Sequence, residues 1–269
     1  MHRGYRDLSR LVLQNAAGED YEIEYRVRSG DLTVVAIHGG GIQPLTSELA
    51  RAIAGSDYTL FEFRGMRRRN NAELYVSSLR FDEIRLRGLL MMAGTAVSIH
   101  GAKGEARRVH VGGGNENLAL CISEHLAGAG FEMGRGRGAL RGRHPGNLVN
   151  RHASDKGVQL VLTRGLRDSM VEGGAAGLAR RDPEQRTEAF SRFVGAIRSA
   201  IERYLTARLG DLDKDVAEAA RIVSLLHEEA ESLPPQAQGT QGDRNPTRDD
   251  EARDGVVRAP DSRRAERGA

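Results

Sequence analysis

The sequence has few of the residues that mark secreted or membrane proteins. It has 269 residues, one cysteine (Cys121), no tryptophan and only 4% aromatic residues. A single cysteine excludes an internal disulfide and a multi-cysteine zinc module. No apolar run approaches the roughly 18 residues of a transmembrane helix, and residues 1–20 lack the apolar segment of a secretory signal. These absences predict a cytoplasmic protein that does not bind a membrane.

The charges are nearly balanced, although almost all of the positive ones are arginine. Forty Lys and Arg residues stand against 37 Asp and Glu residues, which gives a net charge of +3, and only three of the forty are Lys. This small excess does not favour nucleic-acid binding. Arg-Gly segments occur at 64–69 and 135–143, but no aromatic residue interleaves with them to stack on bases. We expect mainly solvated loops there, with a nucleic-acid-associated role as an alternative.

Apolar patterns predict one α/β domain over residues 1–231. Buried strands are predicted at 32–37 and 96–99, an edge strand at 22–28, further strands at 59–63, 108–111 and 158–162, and helices at 48–54, 82–92, 115–129, 187–208 and 212–231. Strands that alternate with helices predict three layers, with a mostly parallel mixed sheet flanked by helices. Residues 232–269 contain four of the seven prolines and no aromatic residue. We therefore expect a disordered C-terminal tail.

Two of the predicted buried strands end in a histidine followed by a glycine. His38 and Gly39 follow the strand at 32–37, and His100 and Gly101 follow the strand at 96–99. Ligands of open α/β sheets bind at the carboxyl ends of the strands, and imidazole is a common zinc ligand. Because His38 and His100 follow two buried strands in the same way, we predict that they bind one metal ion. The alternative is that they are two unrelated loop histidines.

A hydrolytic zinc site also requires a third protein ligand and a general base. Glu48, ten residues after His38 at the start of a predicted helix, is the candidate catalytic carboxylate. Gln43 is nearer to His38 in the sequence, but a neutral amide oxygen is a weak zinc ligand. Asp82 and Glu83 supply further carboxylates.

Six segments form a larger pattern. They are 38–48 (HGGGIQPLTSE), 74–83 (LYVSSLRFDE), 98–101 (SIHG), 111–114 (VGGG), 147–151 (NLVNR) and 157–167 (GVQLVLTRGLR). In this order they resemble the phage-type poly-γ-glutamate hydrolases, over about residues 30–170. The resemblance implies a carboxypeptidase-like domain, a bound zinc ion, and cleavage of γ-glutamyl amide bonds in a polyanion. It also implies that His38 and His100 are metal ligands.

Two positions depart from the pattern of that family. The family typically has glutamate where this sequence has Gln43 and Val161, one resembling a metal ligand and the other a general base. Valine cannot accept a proton, and neutral Gln43 lowers metal affinity. Gln43 and Val161 therefore predict reduced hydrolysis. The alternative is that Glu48, Asp82 or Glu83 has taken over the role of a missing glutamate. A non-catalytic anion-binding protein on the same scaffold is the second alternative.

Four residues are candidates for binding the carboxylates of a substrate. Asn150 and Arg151 resemble the Asn-Arg pair with which carboxypeptidases hold a carboxylate. Arg164 and Arg167 follow the strand predicted at 158–162. Guanidinium groups bind carboxylates in a bidentate manner, and polyglutamate carries one carboxylate per residue. We therefore predict a polyanionic γ-glutamyl substrate.

Overall fold

The structure is a computed structural model that describes residues 4–28, 31–151, 156–177 and 181–232. The chain divides into two units, Met1–Ala217 and Glu218–Ala269. A disordered tail was predicted for residues 232–269, and residues 233–269 lie outside the described residues. Within the described ranges, none of the helices has the length and apolar character needed to cross a membrane.

Seven strands form one mixed sheet. They are β1 (Tyr21–Arg26), β2 (Leu32–Gly40), β3 (Thr59–Gly65), β4 (Thr95–Gly101), β5 (Arg108–Gly113), β6 (Glu132–Met133) and β7 (Val158–Leu162). Their order in the sheet is β1-β3-β2-β4-β7-β5-β6. The pairs β2–β3, β2–β4, β4–β7 and β5–β6 are parallel, whereas β1–β3 and β5–β7 are antiparallel. The predicted α/β fold with a mostly parallel mixed sheet is confirmed.

Helices cover both faces of the sheet. They are α1 (Leu8–Gln14), α2 (Thr46–Ala54), α3 (Ile84–Met92), α4 (Glu116–Gly128), α5 (Arg164–Asp168) and α6 (Glu188–Ser232). Successive side chains of a strand point to opposite faces. Val34 of β2 accordingly packs in the core with α2, α4 and the first part of α6, whereas Val35 packs in the core with α1 and α3. The two cores explain why β2 is buried at every position and has a continuous apolar sequence.

The C-terminal helix differs from the prediction. The sequence predicted two helices, 187–208 and 212–231, with a break around Gly210, but α6 is one continuous helix from Glu188 to Ser232. A glycine inside a helix costs only about 1 kcal/mol relative to alanine. Gly210 has no proline beside it, so that cost is too small to interrupt a helix whose first part packs firmly on the core.

Candidate functional site

Two buried histidines meet at the carboxyl end of the sheet. Strands β2 and β4 are parallel neighbours, so His38 and His100 leave the sheet at the same edge. Their side chains are 2% and 6% exposed, and their Nδ1 atoms are 3.1 Å apart. Two zinc–nitrogen bonds of roughly 2.1 Å in a tetrahedral site place ligand nitrogens about 3 to 4 Å apart. The two Nδ1 atoms are therefore as close as two nitrogen ligands of one zinc ion.

The hydrogen-bond partners of the two rings define one protonation pattern. The carbonyl of Val76 can only accept, so His38 donates its Nε2–H to it at 2.7 Å, and Nδ1 of the neutral ring carries a lone pair. His100 donates its Nδ1–H to that lone pair, and its Nε2 accepts the hydroxyl proton of Ser98 at 3.1 Å. A backbone carbonyl thus fixes His38 in the tautomer that a metal ligand at Nδ1 needs.

Burial keeps both rings neutral. Desolvation lowers the pKa of His38 to about 4, although the hydrogen bonds that the protonated ring would donate to the Val76 carbonyl and to Gln43 Oε1 oppose this effect. Desolvation also lowers the pKa of His100 well below its ordinary value, and the nearby His38 ring adds to the effect. Neutral imidazole is the form that binds metals, so neither ring has to lose a proton at neutral pH.

A strained loop brings Gln43 back to the histidines. Gly40 and Leu45 have positive φ angles of 63° and 77°, and a Cβ atom at Gly40 would lie 2.4 Å from the carbonyl oxygen of Gly65. Between these two residues the chain turns, so that Gln43 Oε1 lies 3.1 Å from His38 Nδ1 and accepts the Gly101 N–H at 2.7 Å. A buried leucine with positive φ is strained, and here it lies beside the candidate site.

Val161 faces the same place from β7. It pairs with His100 in the parallel register of β4 and β7, is 4% exposed, and lines the cavity that contains the histidines. The two departures from the family pattern, Gln43 and Val161, therefore lie in one cavity with His38 and His100.

The cavity has a volume of about 360 Å³, within the range of small-molecule sites. Its walls come from the loops after β2, β3 and β4 and from the segment 138–147. Beside the residues already named, the lining includes Tyr75, Ser77, Ser78, Arg143, His144, Asn147 and Gln159. Among the described lining residues there is no aspartate or glutamate. The lining therefore does not repel an anionic ligand.

Most of the chain matches one known protein family. The profile of the family described as "Poly-gamma-glutamate hydrolase" matches residues 5–196. The chain belongs to the poly-gamma-glutamate hydrolase family.

Relatives and solved structures agree with this membership. YndL of Bacillus subtilis (strain 168) is 31% identical over 161 residues, 58% of this chain and 62% of YndL, so the chain spans less than two thirds of that relative. YmaC of the same organism is 27% identical over 202 residues, 74% of this chain and 84% of YmaC. A bacteriophage poly-gamma-glutamate hydrolase structure superposes with a TM-score of 0.71 at 28% identity, covering 76% of this chain and 98% of that one. A zinc-free YndL structure gives a TM-score of 0.68 at 26% identity, covering 74% and 96%.

The three carboxylates considered as replacements for the family's glutamates, Glu48, Asp82 and Glu83, do not line the cavity. Glu48 is buried in the first turn of α2. The pKa of Arg51 is raised mainly by Glu62, and the charge of Glu48 adds to that effect. Asp82 is exposed and pairs with Arg87 at 3.6 Å, and Glu83 caps α3 by accepting the Leu86 N–H. In the part of the chain that the structure describes, no three His, Cys, Asp or Glu residues are grouped so as to hold a metal. The structure therefore does not bring Glu48, Asp82 or Glu83 to the histidines.

The predicted Asn-Arg pair shapes the cavity wall instead of lining it. Asn150 Nδ2 donates to the carbonyls of Gly142 and His144. Arg151 donates to the carbonyl of Gly146 at 2.9 Å and to that of Ser78 at 3.0 Å. Neither residue is part of the cavity lining, so both position the loops that are.

The two arginines after β7 are also outside the cavity. Arg164 is exposed and pairs with Asp168 of the next helical turn at 3.2 Å. Arg167 is buried, and its guanidinium donates to three backbone carbonyls, those of Pro44, Ala102 and Leu162. Burial lowers its pKa from the ordinary value. Arg167 thus ties the loops after β2 and β4 to β7.

Most of the lining residues were not predicted from the sequence, and two of them, Tyr75 and Arg143, have side chains suited to contact a substrate. Tyr75 stacks on His38 with a ring-centroid distance of 4.4 Å, and burial raises the pKa of its hydroxyl. Among the described residues that line the cavity, Arg143 is the only arginine or lysine. Tyr75 lies in a segment that carries the family resemblance, whereas Arg143 belongs to an Arg-Gly stretch expected to be solvated loop.

The buried histidines predict acid sensitivity of the metal-free protein. His38 has a pKa of about 4 when folded and 6.5 as its ordinary value, so the unfolded chain binds more protons between pH 4 and 6.5. The free energy of unfolding therefore falls as the pH drops through this window. We expect a loss of about 2 kcal/mol between pH 7 and pH 5 from this ring, measured by urea unfolding in the presence of EDTA. A His38→Gln variant with the same pH dependence as the unmodified protein would contradict this assignment.

Proposed function

We propose that this chain binds a γ-glutamyl polymer and cleaves it by a metal-dependent reaction that is much slower than in family members with both glutamates. One observation carries the proposal: Gln43 and Val161 lie in the same cavity as the histidine pair. The polymer and the reaction come from the family description and from the phage hydrolase. The reduced rate comes from the side chains of this chain.

The side chains at the site fit a weakly held metal ion. His38 and His100 would be two of its ligands, since rotation of the Ser98 hydroxyl allows His100 to donate through Nε2 and present its Nδ1 lone pair. Gln43 Oε1, which has a second lone pair, would be the third. Zinc bound there would acidify a water molecule, and YndL has a structure described as zinc-free. A neutral amide in place of a carboxylate removes one negative charge from the site, which weakens metal binding.

The described lining residues include no carboxylate that would move a proton. Val161 can neither accept nor donate one. The burial that lowers the pKa values of His38 and His100 makes both rings poor proton acceptors, and as metal ligands they would be occupied. Hydrolysis would therefore proceed without a carboxylate general base, and a general base typically contributes a factor of 10² to 10⁴ to the rate.

Substrate binding does not depend on the missing glutamates. Arg143 and Tyr75 line the cavity, and a guanidinium fork suits the α-carboxylate of a γ-glutamyl unit. Arg143 also pairs with Glu116 at 3.0 Å, but an exposed ion pair of this kind is weak enough to be exchanged for a substrate carboxylate. Removing two negative charges from the cavity also reduces repulsion of a polyanion. Binding without cleavage is the second candidate function, and Val161 is the observation that favours it.

Zinc affinity tests the proposed ligand set. In EDTA-treated and dialysed protein, excess zinc should raise the melting temperature only slightly, and Gln43→Glu should increase that rise by several degrees. A tenfold gain in affinity adds about 1.4 kcal/mol of stability at saturating zinc, which is roughly 3 to 6 °C for a unit of this size. The measurement is thermal unfolding with and without zinc.

The same variant with His100→Ala is the control, and its zinc-dependent shift should disappear. An equal shift in the unmodified protein and in Gln43→Glu would show that residue 43 is not a ligand. No zinc response in either protein would remove the metal from the proposal.

A further inference from the structure

The C-terminal part of α6 presents an apolar stripe to solvent. Leu209, Leu212, Val216, Val223 and Leu226 are between 49% and 68% exposed. The first part of the same helix is different, because its apolar side chains pack in the core. Apolar side chains aligned on one helix face are typical of an interaction surface.

The stripe has the spacing of a coiled coil. With Leu209 at heptad position a, seven successive a and d positions from Leu209 to Ala230 are apolar. Positions a are Leu209, Val216, Val223 and Ala230, and positions d are Leu212, Ala219 and Leu226. Alternate spacings of three and four residues over three heptads are characteristic of helices that pair along their length.

We propose that α6 pairs with α6 of a second copy of this chain as a parallel, two-stranded coiled coil. A stripe that repeats every seven residues is complementary to itself, which is the requirement for a twofold interface between identical chains. Val at two of the a positions and Leu at two of the d positions favour two parallel strands.

The flanking residues fit the parallel arrangement. In a parallel pair, position g of one helix lies beside position e of the next heptad in the other helix. This register puts Arg208 beside Asp213 of the second copy, and Asp215 beside Ala220. Neither of these contacts brings two like charges together.

The stripe is large enough for a weak, concentration-dependent interface. Complete burial of a Leu, Ile or Val side chain removes about 60 to 120 Å² of apolar surface from water. Six such side chains per helix, the five exposed ones and Ile222 at a flanking g position, are about half exposed, so they give roughly 400 to 800 Å² of apolar surface for a pair. Flanking side chains add to this area, which is typical of weak interfaces of less than about 1,200 Å².

Sedimentation or light scattering of the full chain between about 1 and 100 µM tests the pairing. We expect the apparent mass to rise with concentration toward twice the chain mass of 29.3 kDa. Leu226→Asp, at a d position, should weaken dimerisation by a factor on the order of 100 or more, since each copy loses one buried leucine. Leu225→Asp is the matched control, because Leu225 is similarly exposed (52% against 59%) but lies at position c.

Cysteine cross-linking tests the parallel orientation in a Cys121→Ser background. Ala219→Cys, at a d position, should form a disulfide-linked dimer readily, whereas Ala217→Cys, at the outward b position, should not. The proposal is wrong if the full chain stays monomeric at all concentrations, or if both leucine variants have the same effect. Equal cross-linking at both alanine positions would also overturn it.

Discussion

Replacing Gln43 and Val161 together by glutamate is expected to raise the rate of poly-γ-glutamate cleavage by a factor on the order of 10² to 10⁴. Val161→Glu would supply the missing proton acceptor beside His100, the neighbour of residue 161 in the β4–β7 register. Gln43→Glu would add a charged ligand where Gln43 Oε1 now lies 3.1 Å from His38 Nδ1. The measurement is the shortening of the polymer, or the release of free amines, at saturating zinc.

The combination Gln43→Glu with Val161→Gln is the control. Glutamine has nearly the size and polarity of glutamate but cannot accept a proton at neutral pH, so it separates general-base catalysis from a simple change in cavity shape. If the control is as active as the variant with two glutamates, residue 161 does not act as the base. If neither variant is more active than the unmodified protein while both remain folded, Gln43 and Val161 do not limit the reaction.

Replacing Arg167 by alanine is expected to lower the free energy of unfolding by about 3 kcal/mol. Its buried guanidinium donates to the carbonyls of Pro44, Ala102 and Leu162, and hydrogen bonds from charged donors contribute about 1.5 to 3 kcal/mol each, with incomplete additivity. The truncation leaves these buried carbonyls without a donor. Urea unfolding measures the change.

Arg164→Ala is the matched control three residues earlier. Arg164 makes an exposed ion pair with Asp168, and such helix pairs contribute about 0.3 to 0.5 kcal/mol. The two variants therefore distinguish a structural arginine from a solvated one. If Arg167→Ala unfolds at the same urea concentration as the unmodified protein but binds polymer more weakly, Arg167 is a substrate-binding residue, as the sequence predicted.

The fold could be predicted from local patterns because each buried strand has its own signature. The apolar run at 158–162 became β7 with the same limits, and the run at 32–37 became β2 with three more residues. The end of the first C-terminal helix could not be predicted in this way. Tertiary packing of the first part of α6 and the good helix formers from Ala217 onward outweigh the cost of one glycine.

The site could be predicted only in part, because sequence distance does not report which way a side chain faces. His38 and His100 were found from their places at the ends of parallel strands, which fix both position and direction. Glu48 has a suitable place in the sequence, yet the turn after β2 directs Gln43 to the histidines and leaves Glu48 outside the cavity lining. Arg143 could not be recognised, since its place in the cavity depends on how the segment 138–147 folds over β7.

The most direct test of the account measures polymer binding and polymer cleavage on the same sample of the unmodified full chain at saturating zinc. The account predicts clear binding of poly-γ-glutamate, weakened by Arg143→Ala, together with cleavage that is slow or below detection. Rapid zinc-dependent cleavage by the unmodified chain would contradict it. If that rapid cleavage also survives Glu48→Gln, Asp82→Asn and Glu83→Gln in one chain, a catalytic group other than these three carboxylates performs the reaction.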